Sequence, residues 1–336
     1  MRLGILGLVG VVGAMTACSG SQPTGFLSGD AGGGGGSTSS SGGSSGSSSG
    51  SAGSSSGSFG DAGGTSNSGP PLIYAHTDTE LYSMDPTTHQ LTDIGAFTDG
   101  SGSTPTITDL AVDGNDNVWV NSESAVYKVT LPAGSGPVSI THTTSLGTSA
   151  KFYALGFTHA GTLESGESLV AGDSDGNLYY IDQSGGSAPQ NLGSFGPASG
   201  GGTLELSGDV VFYTLNGSPR GLATVRACSS SCSTTNDLLA EIDVTAMQQA
   251  YKNKAPASTL LKQLIGSGTQ FGRLFGVGAW GSSVYAFSRA SGSSEQAQLI
   301  QIDSSGAGTS LQSFPNITAG WSGAGVTTKA QITVLQ

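Results

Sequence analysis

Two of the three cysteines lie close together, in the segment Cys228-Ser-Ser-Ser-Cys232. Paired thiols can form a disulfide, bind a metal ion or exchange electrons. No histidine lies near the pair, serine is a weak metal ligand, and the spacing differs from the redox-active C-x-x-C pattern. In an exported protein, such a pair predicts a disulfide between Cys228 and Cys232.

The third cysteine, Cys18, follows a leader that is typical of exported proteins. Arg2 carries the only charge before Cys18, and residues 3–14 are apolar or glycine. This apolar run is shorter than the roughly 20 residues that span a bilayer, so it predicts a cleaved signal peptide over residues 1–17. An ordinary secretion signal is the alternative at this point.

The end of the leader resembles the lipobox of bacterial lipoproteins. The matching segment is Met15-Thr16-Ala17-Cys18, with methionine where leucine is usual. The resemblance implies that Cys18 carries acyl chains such as palmitate, becomes the first residue of the mature chain and anchors it to a membrane. Ser19, rather than aspartate, follows the cysteine, which implies sorting to the outer membrane or cell surface where the host has an outer membrane.

Residues 18–70 have the composition of a tether. After Cys18 they are almost wholly glycine and serine, and their only charges are Asp30 and Asp61. Such a chain buries too little apolar surface to offset its ordering entropy, so we expect it to be disordered. A Gly/Ser coil of this length spans roughly 40 Å. The sequence therefore predicts a lipidated, flexible linker that leads to one folded domain over residues 71–336.

The charge balance excludes some classes of partner. The chain has 23 acidic and 11 basic residues, for a formal net charge of −12. Nucleic acids and anionic lipid surfaces both require basic patches, so we expect no nucleic-acid partner and no electrostatic membrane binding. Contact with the membrane is expected through the lipid anchor alone.

Two aspartate-rich segments, DGNDN at 113–117 and GDSDGN at 172–177, are similar in composition to calcium-binding loops. Both lack the distant bidentate glutamate of a full calcium loop, and Asp, Asn and Gly favour hairpin turns, so we predict turns. The four histidines have no zinc-binding spacing; they are His76, His89, His142 and His159. We expect no metal and no cofactor.

The folded region contains an internal repeat of β-strands. Related segments such as LYSMD, LYYID, LAEID and LIQID end at a shared aspartate, for which we predict a turn-forming role; these aspartates are Asp85, Asp182, Asp243 and Asp303. A second unit of an apolar strand, a turn and a β-branched strand precedes most copies. Together they predict a β-propeller of five four-stranded blades, with six irregular blades as the alternative, closed by strands from both chain ends.

One blade resembles the NHL-type and sensor-type propeller repeats of bacterial extracellular proteins. The segment is DLAVDGNDNVWVNSESAVYKVT, and the matching residues are Asp113, Gly114, Asn117, Val118, Trp119, Val120 and Tyr127. The resemblance implies the propeller fold and is too general to imply an activity.

A short helix is predicted after Asp243, in the segment DVTAMQQAYKNKAPAS. Thr245 and Gln248 fit a capping box, and Pro256 ends the segment. Three lysines make this insert the basic spot of an acidic domain, either as a solvated surface or as a partner contact; they are Lys252, Lys254 and Lys262.

These observations favour a noncatalytic lipoprotein whose propeller binds a protein or a glycan. Trp280 and Trp321 are predicted near strand ends, either packed between blades or exposed to a partner together with the basic insert. One alternative is a propeller-type hydrolase or lactonase with Asp109 and Glu205 near the central channel. Another is a scaffold subunit of an envelope complex.

Overall fold

The computed structural model describes residues 73–147, 150–233, 236–289, 296–330 and residue 332. All of them lie in the second of two units into which the chain divides, Ser66–Gln336. The described residues form twenty β-strands and one α-helix, which confirms the all-β prediction. None of their helices is long and apolar enough to span a bilayer. The predicted signal peptide, Cys18 and the linker lie outside the described residues.

The strands form the five four-stranded blades of a β-propeller. In each blade, neighbouring strands pair antiparallel as a meander from the ring axis outward. Blade 2 contains β4 (Asp109–Val112), β5 (Val118–Asn121), β6 (Ala125–Thr130) and β7 (Val138–Ser145). Blade 3 contains β8 (Phe152–Thr158), β9 (Ser168–Asp173), β10 (Asn177–Ile181) and β11 (Gln190–Ser194). Blade 4 contains β12 (Thr203–Leu215), β13 (Ser218–Cys228), β14 (Leu238–Ile242) and β15 (Leu261–Ile265). Blade 5 contains β16 (Leu274–Trp280), β17 (Ser283–Ser288), β18 (Ala297–Ile302) and β19 (Gly308–Phe314).

Blade 1 combines strands from both ends of the folded region, as predicted. Its innermost strand is the last one, and the other three are the first ones: β20 (Gly323–Val326), β1 (Ile73–His76), β2 (Glu80–Met84) and β3 (Leu91–Thr98). Strands β1 and β20 pair antiparallel, with Ile73 opposite Val326 and His76 opposite Gly323. This pairing closes the ring and removes two exposed sheet edges.

Blades 1 and 2 are also joined at their outer edges. Strand β3 pairs parallel with β7, with Phe97 opposite Val138 and Thr98 opposite Ser139. The pairing links eight strands into one continuous sheet. It was not predicted from the sequence.

Burial decreases from the ring axis outward. Every residue of β4, β5 and β9 is buried, whereas β3 is mostly half-buried or exposed and β19 is largely exposed. The inner strands pack in the order β4, β8, β12, β16, β20 and back to β4. Because adjacent blades cover both faces of an inner strand, these strands are buried along most of their length instead of alternating between buried and exposed residues.

The shared aspartates form turns, as predicted. Each accepts backbone N–H groups two or more residues ahead: Asp85 from Thr87 and Thr88, Asp182 from Ser184, Asp243 from Ala246, and Asp303 from Ser305 and Ala307.

Helix α1 (Val244–Asn253) lies between β14 and β15 of blade 4, as predicted. The predicted cap is wrong by two residues: Asp243, rather than Thr245, is the N-cap, and it accepts the Ala246 amide at 2.9 Å. The shared aspartate of the repeat therefore starts the helix directly. The helix ends at Lys254, which adopts a left-handed conformation (φ 53°).

Candidate functional site

Both aspartate-rich segments form hairpin turns, as predicted. Asp113 Oδ1 accepts the Asn115 and Asn117 amides at 2.8 and 2.9 Å. Asp173 Oδ1 accepts the corresponding amides of Asp175 and Asn177, both at 2.9 Å. These carboxylates thus hold the turns between β4 and β5 and between β9 and β10.

The second of these segments, 172–176, also matches the G-x-S-x-G pattern of serine hydrolases. In that pattern the serine lies on a sharp turn from a strand to a helix. Here the segment is the turn of the β9–β10 hairpin and leads into a strand rather than a helix, so it is not a nucleophile elbow.

Asp109 links the inner strands of blades 2 and 3. Its side chain is fully buried at the start of β4. Oδ1 accepts the Leu110 amide at 2.8 Å, and Oδ2 accepts the Leu155 amide of β8 at 2.7 Å. Thr108 reinforces this link, because its hydroxyl donates to the Phe152 carbonyl at 3.0 Å.

Asp209 makes the same link between blades 4 and 5. It is fully buried on β12, and its carboxylate accepts the Val210 amide and, at 2.7 Å, the Val277 amide of β16. Thr224 donates to the Leu274 carbonyl at 3.0 Å. In both links, the carbonyl acceptor lies three residues before the amide donor.

The two aspartates meet inside the ring. Their carboxyl groups are hydrogen bonded to each other, which requires a shared proton. Burial, together with the Asp209 charge, raises the pKa of Asp109 well above its usual value. Burial likewise raises the pKa of Asp209.

His76 lies next to this pair. A Cβ on Gly323 would come within 2.3 Å of both Asp109 Oδ1 and His76 Nε2, so both atoms border the same glycine. His76 is fully buried, and its Nδ1 contacts the Thr77 carbonyl at 2.6 Å. Burial lowers the pKa of His76 to about 4, so this histidine is neutral near pH 7.

Glu205, the second predicted channel acid, lies apart from this cluster. It is half-buried on β12, beside Cys228 and Cys232. The register of β12 shifts between Leu206 and Val210, and this irregularity brings Asp209 to the position equivalent to Asp109. Asp209, rather than the predicted Glu205, is therefore the counterpart of Asp109 on the inner strand of blade 4.

Cys228 and Cys232 form a disulfide, as predicted, with their Cα atoms 4.0 Å apart. Together with Glu205, they are the one group of potential metal ligands found within the described residues. Both sulfurs are bonded to each other, so neither is a thiolate that could ligate a metal in this state.

The aspartate pair separates two cavities on the ring axis. On one side, a narrow apolar channel of about 20 Å³ is lined by residues of all five inner strands. On the other side, a wider cavity of about 350 Å³ is lined by residues of all five blades. We name this wider cavity the central funnel; its lining residues are Asp78, Thr106, Ile107, Thr108, Glu123, Tyr153, Leu206, Ser207, Gly208, Arg226, Phe275, Arg289 and Ser322.

Two acids of the central funnel are paired with cations. Arg289 contacts Asp78 at 2.6 Å, and the Ser322 hydroxyl donates to the same carboxylate. Lys151 contacts Glu123 at 2.9 Å. Partial burial raises the pKa of Asp78, but its hydrogen bonds with Arg289 and Ser322 outweigh this effect and lower the pKa, so Asp78 is ionised near pH 7.

The predicted aromatic contacts have different environments. Trp321 is fully buried, and its ring packs edge-to-face against Tyr82, Phe287 and Phe314 at 5.5–5.6 Å. It is therefore a packing residue of the closing blade and offers no surface to a partner. Trp280 is half-buried against the same cluster, at the end of β16.

The three lysines of the basic insert are exposed, but two of them are engaged. Lys254 contacts Gln190 Oε1 at 2.8 Å and lies 4.3 Å from the centre of the Tyr251 ring. Lys262 forms an ion pair with Glu241 at 2.8 Å. Lys252 makes no such contact among the described residues.

The central funnel includes residues that the sequence did not single out, notably Arg226 and Arg289. Both lie at or near the ends of second strands, where an arginine normally indicates solvent exposure. For Asp209 a signal did exist, because Asp-Val-Val-Phe at 209–212 has the same pattern as Asp-Leu-Ala-Val at 109–112.

Comparison with known proteins gives no family. No protein-family model and no curated protein matches the sequence. Similar solved structures include a protein of unknown function from Bacteroides caccae, with 9% identity, a TM-score of 0.42 and coverage of 77% of this chain and 99% of that one. A nidogen/laminin complex has 13% identity and a TM-score of 0.44, and the match covers 78% of this chain and 100% of that one. The Dos1 propeller has 14% identity and a TM-score of 0.36, and the match covers 78% of this chain and 60% of that one. Because these scores are low, the conclusion that the chain folds as a five-bladed β-propeller rests on its own strand topology.

Proposed function

We propose that this protein is a noncatalytic binding protein of the bacterial cell envelope, and that the central funnel receives a protein or glycan partner. The observation that supports this proposal is a cavity of about 350 Å³ to which every blade contributes. This volume lies within the range of small-molecule binding sites. Half-buried Tyr153 and Phe275 supply apolar surface, and four charged side chains supply polar contacts.

The hydrolase alternative has less support than binding. A metal ligand or general base needs free carboxylate oxygens that face the substrate. Asp109 and Asp209 instead use their oxygens to accept backbone amides of neighbouring blades. Their position between the two cavities closes the channel rather than offering a ligand set.

The membrane attachment is the second part of the proposal. Its support is the lipobox-like segment Met15–Cys18, followed by a linker without basic residues. Acylated Cys18 would hold the propeller at the outer membrane or cell surface, and the linker would allow the propeller to reach a partner at roughly 40 Å.

The binding proposal is tested by obstructing the central funnel. Thr106 lines the funnel and is exposed, so Thr106→Trp fills the site without disturbing the core. Thr130→Trp, at an exposed position on β6 outside the funnel, is the matched control. We expect full-length, detergent-extracted protein to bind glycans or envelope proteins on an array, and Thr106→Trp to abolish that signal while Thr130→Trp keeps it. Equal signals from both variants would contradict a funnel site.

A further inference from the structure

Arg226 is the one charged residue of the central funnel whose charge is not paired. It is half-buried on β13, and it forms no ion pair and donates no hydrogen bond within the described part of the chain. Its Nε is buried and lacks a partner. Because a ligand in the funnel cannot reach this buried Nε, the part of the guanidinium that can bond to a ligand is its two terminal amino groups, for which no acceptor is found in the described part of the chain.

The other charges of the central funnel do not compensate Arg226. Asp78 is held by Arg289 and Ser322, and Glu123 is held by Lys151. Tyr153 donates its hydroxyl to Glu123 at 2.9 Å. Among the described residues, the two acids of the funnel each have a basic partner, whereas the Arg226 guanidinium has no ion-pair partner.

Glu205 lies directly opposite Arg226 in the β12–β13 ladder but forms no ion pair with it among the described residues, and Asp237 is a second acid, behind the funnel wall. It is fully buried and feels the Arg226 charge, but one of its oxygens already accepts the Leu274 amide at 2.7 Å and no ion pair with Arg226 forms. Burial raises the pKa of Asp237, which weakens it further as a counter-ion.

The uncharged part of the wall suits a polyhydroxylated ligand. Thr106 offers an exposed hydroxyl, and Tyr153 and Phe275 supply aromatic surface. The hydroxyls of Thr108 and Ser322 already donate to Phe152 and Asp78, and the Ser207 oxygen is buried. Sugars combine many hydroxyls with an apolar ring face, and such aromatic and polar groups bind both. A guanidinium forms a planar fork that matches a carboxylate in a bidentate manner.

We infer that the central funnel binds an acidic sugar of the uronic acid class, with its carboxylate on Arg226. This inference rests on the proposed binding function and specifies its ligand. Because the protein as a whole is acidic, with a net charge of −12, its long-range field repels anions, and recognition depends on this short-range contact.

The test compares two sugars that differ in the carboxylate alone. D-glucuronate and D-glucose are titrated into the full-length, detergent-extracted protein by isothermal titration calorimetry. We expect glucuronate to bind at least about tenfold more tightly than glucose, as for one charged hydrogen-bonded pair. Inorganic phosphate and acetate are further arms, and both should bind more weakly than glucuronate because they lack the sugar ring.

Three variants test whether the binding of glucuronate depends on Arg226 in particular. Arg226→Gln should weaken glucuronate binding by about tenfold or more and leave glucose binding unchanged. Arg220→Gln is the matched control on the same strand, because Arg220 pairs with Glu241 outside the funnel. Thermal melts of both variants establish that the fold is retained. Arg226→Lys, which keeps the charge and loses the fork, should give an intermediate loss.

The outcomes distinguish this inference from the function on which it rests. Equal affinities for glucuronate and glucose, both lost in Thr106→Trp, would overturn the role of Arg226 and leave the funnel as a binding site. If phosphate bound as tightly as glucuronate, the inference that the ligand is a sugar would be wrong. If no array ligand and no sugar binds, the proposed function itself fails.

Discussion

Asp109 and Asp209 stabilise the ring by joining inner strands across blade boundaries. Each accepts the amide of the next inner strand, and the hydroxyl of a nearby threonine bonds to that strand as well. The shared proton between the two carboxyl groups avoids the repulsion of two buried negative charges. The free energy of unfolding should therefore decrease when pH rises far enough to ionise this buried pair.

The pH dependence follows from buried groups with opposite shifts: the pKa of His76 is lowered, whereas those of Asp109, Asp209 and Asp237 are raised. His76 has its pKa lowered to about 4, so its contribution is present above about 6.5 and is lost as pH falls towards 4. Asp109 has a raised pKa, so its contribution is full below about 3.9 and is lost as pH rises towards its folded pKa. Asp209 and Asp237 act in the same direction as Asp109, so between about pH 4 and 6.5 these acids oppose the effect of His76.

We therefore predict that the free energy of unfolding decreases as pH rises above about 6.5, where the opposing effect of His76 has ended. Urea denaturation at a series of pH values measures it. In Asp109→Asn, which cannot ionise, that decrease above pH 6.5 should be smaller, even though the variant is less stable at every pH. A wild-type stability that rises from pH 6.5 to 8.5 would contradict this account.

Residue roles were predictable where they depend on local sequence. The shared aspartates and the Asp-x-Asn turns bond to amides two to four residues ahead, so spacing alone identifies them. Asp209 and Arg226 depend on a register shift in β12 and on the convergence of five blades. Trp321 could equally have been packed or exposed, and tertiary packing buries it completely.

At the scale of elements, β20 is the strand on which ring closure depends. It pairs with β1 and packs against β4 and β16. Gly323 is required there because a Cβ would lie 2.3 Å from Asp109 Oδ1 and 2.8 Å from Asp109 Cα. The absence of a side chain thus permits the contact between the closing strand and β4.

We predict that Gly323→Ala lowers the free energy of unfolding by about 1–3 kcal/mol through overpacking. Gly278→Ala is the matched control, because a Cβ there meets Ile73 Cγ2 at an ordinary 3.6 Å on inner strand β16. It should change stability by less than about 1 kcal/mol. Urea unfolding followed by tryptophan fluorescence compares the two variants, and equal stability of the two would refute the role of Gly323.

The repeat units predicted the elements well because each strand pair is local in sequence. Closure was predicted because the first copy of the repeat lacks an inner strand and the last unit supplies one, and β1 does pair with β20. The parallel pairing of β3 with β7 had no such signal, because it joins two outer strands through only two residue pairs. The start of α1 was misplaced because Asp243 serves both the repeat and the helix cap.

At the scale of the whole molecule, the proposed anchor predicts how the protein partitions. Wild-type protein should enter the detergent phase of a Triton X-114 extract, and Cys18→Ser should move to the aqueous phase because it lacks acyl chains. A double variant, Cys228→Ser with Cys232→Ser, removes the disulfide and should partition as wild type. Mass spectrometry of the N-terminal peptide should find acylated Cys18; an unmodified peptide from membranes would contradict the anchor.

Strand β1 runs from the narrow end of the ring towards its wide end. Ile73 pairs with Val326, which lines the apolar channel, and five residues after Ile73 the chain reaches Asp78 in the central funnel. A partner held in the funnel and a tether attached before Ile73 would therefore pull in opposite directions along the strand. Because β1 is bonded on both sides, to β2 and β20, this load acts in shear on two ladders at once instead of unzipping them one bond at a time. In the tethered binding protein proposed above, this arrangement would resist force at the point where the linker joins the propeller.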